Sequence, residues 1–139
     1  MAAEDLSPPL EADLSVQGFL GHESMRRGWG RGFQSGRLGH AHLVAGPEGI
    51  GKGFLVRRWA AMLLCRDPQL DVAPDPQACG HCSSCQALKS GNHGGYLEIS
   101  TEGSGPVEIA RIRGILHFLS LRADGRRVIL IDSADQLRE

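Results

Sequence analysis

The stretch HAHLVAGPEGIGKGFLVRRWAAMLL, residues 40–64, decides the reading of this chain. His40–Ala45 is a short apolar run, Gly46–Gly53 is half glycine, and Phe54–Leu64 has helix-favouring composition. The parse is strand, phosphate-type loop, helix. Gly46, Gly51 and Lys52 stand at the defining positions of G-x-x-x-x-G-K, with Gly49 between them. Such a loop binds phosphate because glycines let successive backbone N–H groups turn toward the oxygens, while a helix N-terminus and a lysine add positive potential. An incidental glycine turn before a helix is the plainer alternative. His40 and His42, near the strand start, are expected to be packing or surface residues.

The loop departs from the usual pattern at Gly53, where a Ser or Thr would ligate Mg²⁺. Working outward, Val128–Asp132 (VILID) is an unbroken apolar run ending in a carboxylate, as a buried parallel strand often reads. Asp132 stands in the order expected of the second magnesium-holding residue, although a strand-end Asp can also be a solvated or capping group. Ser133 follows, where many ATPases of this kind carry a glutamate that activates water, and a hydroxyl is a poor general base. The candidate nucleotide-binding set is therefore Gly46, Gly49, Gly51, Lys52, Gly53 and Asp132. No catalytic residue is assigned, and ATP is expected to be bound weakly or without hydrolysis.

Cys65, Cys79, Cys82 and Cys85 have the form C-x13-C-x2-C-x2-C. Four thiolates complete the tetrahedral shell of a structural Zn²⁺, which can hold an insertion too short for its own core. Spare reduced thiols are the plain alternative. Cys79–Cys82 also reads CGHC, a thiol–disulfide exchange sequence, but the preceding DVAPDPQA is loop-like and two further cysteines complete a metal set. His81 is then a turn residue rather than a ligand.

The chain has 139 residues and a formal net charge of -1, which suits one α/β domain and gives no global basic field for nucleic acid. Arg26, Arg27 and Arg31 leave room for a local basic face. No secretory signal and no stretch long enough for a membrane span is present in these residues, so the cytoplasm is the expected compartment, with cysteines reduced. Residues 1–17 are expected to be a flexible tail and 18–139 a nucleotide-binding domain with the zinc knuckle inserted at about 65–92. Residues 22–36 suggest a helix that Gly28, Gly30 and Gly32 each weaken by about 1 kcal/mol relative to alanine. Tyr96–Ser100 alternates as a strand. Pro106 is placed to open a helix whose Ile109, Ile112, Leu116 and Leu119 form a core-facing stripe, and Ala123-Asp124-Gly125 turns the chain into the VILID strand. The alternation predicts a parallel sheet covered on both faces.

Taken in order, GHE (21–23), RLGHAHLVAGPEGIGKG (37–53), the four-cysteine knuckle, GNHGGYLEI (91–99) and RRVILIDSADQL (126–137) resemble the delta-prime subunits of bacterial DNA polymerase III clamp loaders. The resemblance implies an α/β fold, a P-loop AAA+ parallel-sheet module with an inserted four-cysteine zinc knuckle, ending before its sheet is complete, since the fourth strand of that fold lies between the first and third. It implies a non-motor subunit of the bacterial cytoplasm, placed with other clamp-loader subunits in a hetero-pentameric ring that loads the sliding clamp onto primed DNA. The gamma/tau subunits share core and knuckle, but Ser or Thr at position 53 and an acid at position 133 would be expected of that motor. A stand-alone P-loop NTPase and a zinc adaptor without nucleotide are the readings of other classes.

Overall fold

The computed structural model describes residues 14, 19–72, 74–100, 109–122 and 125–136. Three helices, α1 (Glu23–Gln34), α2 (Lys52–Leu64) and α3 (Ser83–Lys89), precede the strand β1 (Tyr96–Ser100), and the helix α4 (Ile109–Ser120) and strand β2 (Val128–Asp132) follow it. The strands pair in parallel, with Tyr96 opposite Val128 and Ser100 opposite Asp132. Parallel pairing requires a crossover, and α4 lies in that connection.

The centre of the molecule is α2. Leu55, Trp59, Ala60, Ala61, Met62 and Leu64 are all buried, so the helix is covered on most of its circumference. One core joins Ala60, Ala61 and Leu64 to Leu14, Ala78, Cys85, Leu88 and Tyr96. A second joins Leu55 and Trp59 to Phe19, Trp29 and Val44. Of the expected tail, residues 1–13 and 15–17 lie outside the described residues; Leu14 is buried in the first core.

The glycines of α1 do not prevent the helix. Gly30 is buried, and a Cβ there would lie 2.9 Å from Pro76 Cδ, so glycine permits the 74–76 loop to approach. Trp29 of α1 stacks on Trp59 of α2 at 4.3 Å between centroids and 2° between planes, an arrangement that adds to area burial. Arg26 is no part of a basic face: it is 3% exposed, and its Nε and Nη2 donate to Asp75 Oδ1 at 3.1 and 2.7 Å. Arg27 faces Glu23 one turn earlier at 3.6 Å.

Three expectations are corrected. His40–Ala45 is not a strand: no ladder joins it to β1 or β2, and Leu43 is 85% exposed. An apolar run becomes a strand only beside a partner that takes its N–H and C=O groups, and none lies next to it among the described residues. The α4 stripe does not face a core, because Ile112, Leu116 and Leu119 are 47%, 63% and 51% exposed. Periodicity sets which side of a helix is apolar, not whether a layer lies against it. The sheet is likewise not covered on both faces, since β2 is only half-buried, with Ile131 exposed. Pro106, Ala123 and Asp124 lie outside the described residues.

Candidate metal centre and phosphate loop

The C-terminus of α2 runs directly into Cys65, which caps the helix in an extended conformation. The chain then makes a loop closed by reciprocal backbone bonds between Gln69 and Gln77, at 2.8 and 3.1 Å, and returns to Cys79. Cys82 caps α3, its sulfur accepting from the Cys85 N–H at 3.4 Å, while Cys79 N–H donates to Cys65 Sγ and Cys82 N–H to Cys79 Sγ, both at 3.3 Å. Backbone amides thus point at the sulfurs, Gly80 N–H at Cys85 included, which favours thiolate.

All four sulfurs lie within 4.8 Å of one another. Cys65 and Cys82 are 3.9 Å apart and Cys79 and Cys85 are 4.0 Å apart. A zinc–sulfur distance of about 2.3 Å sets tetrahedron edges of about 3.8 Å, so the donor set fits a tetrahedral thiophilic ion. Burial pushes the Cys65 and Cys85 thiols up. At Cys82 burial also acts upward, but N–H groups of Arg66 and Cys85 and the neighbouring thiols outweigh it and bring the group to about 6. His81 is exposed and its Nδ1 bonds to Cys79 O at 3.0 Å, as a turn residue does.

Behind the sulfurs, Ser84 Oγ donates to Leu64 O at 2.6 Å and therefore accepts from His93 Nε2–H at 2.7 Å. Gly95 N–H donates to His93 Nδ1 at 2.9 Å, so the ring is neutral with its proton on Nε2. Burial pushes the His93 pKa down, and the Arg66 charge adds to this. A folded histidine with a depressed pKa contributes stability that is complete above the unfolded value of about 6.5 and is lost as pH falls below it. The wild-type urea midpoint, measured with zinc present, should fall between pH 7.5 and 5.5 by more than that of His93→Gln, which retains the donor to Ser84. Equal falls would place the titration elsewhere.

At the other end of α2, about 20 Å away by helix rise, Gly49 and Gly51 adopt φ +78° and +93°. The second is required as well as permitted, because a Cβ at Gly51 would meet Phe19 Cε2 at 2.9 Å. Lys52 Nζ donates to Gly46 O at 2.6 Å and Pro47 O at 2.8 Å, folding the lysine over its own loop. Gly53 lies in the first turn of α2 beside Arg57.

Asp132 ends β2, opposite Ser100, and Ser133 follows with φ +55°, a left-handed backbone uncommon for serine. The neighbour of Asp132 is a residue that sequence reasoning missed. Arg57 Nη2 donates to Asp132 Oδ2 at 3.2 Å and to Glu98 Oε1 at 2.6 Å, and its Nε donates to the same Glu98 oxygen at 2.9 Å. Tyr96 O–H donates to Glu98 Oε2 at 2.6 Å. The Glu98 hydrogen bond raises the Arg57 pKa despite burial, while burial and Glu98 push Tyr96 up. A charged residue at the middle of YLEIS was the available signal, since a buried carboxylate demands a partner.

The signature of the family described as "DNA polymerase III, delta subunit" matches residues 21–139. The chain belongs to this family. Among curated relatives it is similar to DNA polymerase III subunit delta' of Pseudomonas aeruginosa, 37% identical over 107 residues, covering 73% of this chain and 31% of the relative. It is also similar to the subunit delta' of Escherichia coli, 29% identical over 110 residues, covering 77% and 31%. Subunit tau/gamma of Haemophilus influenzae is 33% identical over 92 residues, covering 66% and 13%. The chain therefore spans about a third of the length of the delta' relatives it matches. Within the family its assignment is delta-prime, and its mixed helix–strand fold with a small parallel sheet agrees with an AAA+-type fragment. No helix among the described residues is long and apolar enough to cross a membrane.

Proposed function

We propose that this chain is the nucleotide-module part of a non-motor clamp-loader subunit, with residues 18–139 forming part of an AAA+ domain. It works in the bacterial cytoplasm beside other loader subunits in a hetero-pentameric ring and helps place the sliding clamp on primed DNA. Its phosphate loop, Gly46, Gly49, Gly51, Lys52 and Gly53 with Asp132, is a weak or vestigial ATP site. Cys65, Cys79, Cys82 and Cys85 hold one structural Zn²⁺ at the insertion of about residues 65–92. The observation that carries the non-motor reading is the Arg57–Asp132 ion pair, at 3.2 Å. It engages the carboxylate that a working ATPase keeps for magnesium, in a chain that also lacks a hydroxyl at 53 and an acid at 133.

The tau/gamma relatives favour a second reading, the ATPase motor of the same assembly. Gly53 and Ser133 speak against it. Sedimentation of the full-length protein with reconstituted loader subunits is expected to show it entering the complex, with little turnover of its own. A protein that stays outside the complex is no loader subunit. Strong hydrolysis that disappears on Lys52→Ala would make it the motor.

A further inference from the structure

Gly53 and Asp132 are distant in sequence and share one neighbour. A Cβ built at Gly53 would lie 2.6 Å from Arg57 Nη1 and 3.5 Å from Arg57 Cζ, while Arg57 Nη2 is 3.2 Å from Asp132 Oδ2. In a phosphate loop of the usual composition these two positions supply the hydroxyl and the carboxylate that hold Mg²⁺. The guanidinium lies between them. We propose, resting on the reading of residues 46–53 and Asp132 as a phosphate loop and its acid, that Arg57 is a fixed organic cation in the place of the divalent cation. The site then neither takes up Mg²⁺ nor gains affinity for a nucleotide from it.

The chemistry of the surroundings supports a permanent replacement. Glu98, whose side chain is 3% exposed, receives two hydrogen bonds from Arg57 and one from Tyr96. Expelling the guanidinium would break both of its hydrogen bonds to that buried carboxylate, and removing one partner of a buried ion pair is strongly unfavourable in general. An arginine stays protonated at any physiological pH and cannot be chelated, unlike a metal ion. Position 53 follows from the same geometry, because any side chain there meets the guanidinium. Gly53→Thr alone therefore does not recreate a metal ligand; Arg57 must be changed with it.

Mn²⁺, followed by electron paramagnetic resonance on the full-length protein, is the probe. Wild type is expected to leave Mn²⁺ free, and to bind ATP no better with excess Mg²⁺ than with no divalent metal added. Gly53→Thr should behave as wild type. Gly53→Thr with Arg57→Gln should tighten Mn²⁺ on the order of ten- to a hundredfold, the range seen when groups around metal ligands change, and Asp132→Asn in that background should reverse the gain. If the buried Glu98 prevents the pair from folding, adding Glu98→Gln removes both charges and leaves Asp132 to be tested. Mn²⁺ held by wild type, Mg²⁺-enhanced ATP binding by wild type, or a folded Gly53→Thr, Arg57→Gln variant with no gain would each overturn the proposal. The last result would reduce Arg57 to a tie between α2 and the sheet. Because uptake is read on the protein alone, its failure leaves the assembly test standing, and failure to assemble leaves this one standing.

Discussion

Asp75→Ala is expected to destabilise the protein by about 3 to 5 kcal/mol, the range for breaking a buried ion pair by removing one partner. Asp75 is 0% exposed and serves two elements at once. Its Oδ1 accepts from Arg26 of α1 and its Oδ2 from Trp59 Nε1 of α2 at 2.6 Å. Truncation leaves a guanidinium that is 3% exposed and an indole N–H without their acceptor. Removing both charges with side chains of similar bulk, Arg26→Met with Asp75→Leu, should recover a large part of the loss, since the penalty lies in the orphaned partner. Urea midpoints of the three proteins measure this, and a cost below about 1 kcal/mol for Asp75→Ala would contradict the assigned role.

Loss of the metal is the second large effect. Wild-type protein purified without chelator should carry one zinc equivalent, and Cys85→Ala should carry none. Structural zinc sites contribute on the order of 10 kcal/mol of apparent binding free energy at neutral pH, much of it expressed as folding. Even a retained loss of about 3 kcal/mol corresponds to a fall in Tm of roughly 10–20 °C at this chain length. The loss should spread beyond the knuckle, because Cys85 sits in the same core as Ala60, Ala61, Leu64 and Tyr96. Zinc-free wild type with unchanged Tm, or a Cys79–Cys82 disulfide under reducing conditions, would reject the metal.

Much of this was legible from residue order. Tyr96–Ser100 and Val128–Asp132 have the bounds expected of them and pair in parallel, and the cysteine spacing brought four sulfurs together. Both signals are local: a short apolar run between breakers, and a fixed interval between like ligands. What failed depended on neighbours. HAHLVA has strand composition and α4 has a helical stripe, yet HAHLVA has no strand to pair with among the described residues, and Ile112, Leu116 and Leu119 of the stripe stay exposed. Arg26 read as a candidate for a local basic face and Arg57 went unread, whereas each is aimed at a carboxylate, 49 and 75 residues away respectively. Sequence spacing says nothing of such pairs, because the loop between them is free to place them anywhere. Gly30 and Gly53 are the traces they leave in composition, small residues where a loop or a guanidinium comes close.

The buried Asp75 pair and the four sulfurs also bear on the order in which the polypeptide is made. Arg26, Trp59, Asp75 and Cys85 have all been synthesised before the first residue of β1, and β2 follows only after α4. At about 5–20 residues per second, several seconds separate the last cysteine from Asp132. During that interval the nascent chain already holds everything its metal unit needs, whereas the parallel pair lacks one of its strands. Ribosomal timing thus runs in the same direction as the span of the contacts, with the 49-residue closure available before the 75-residue one.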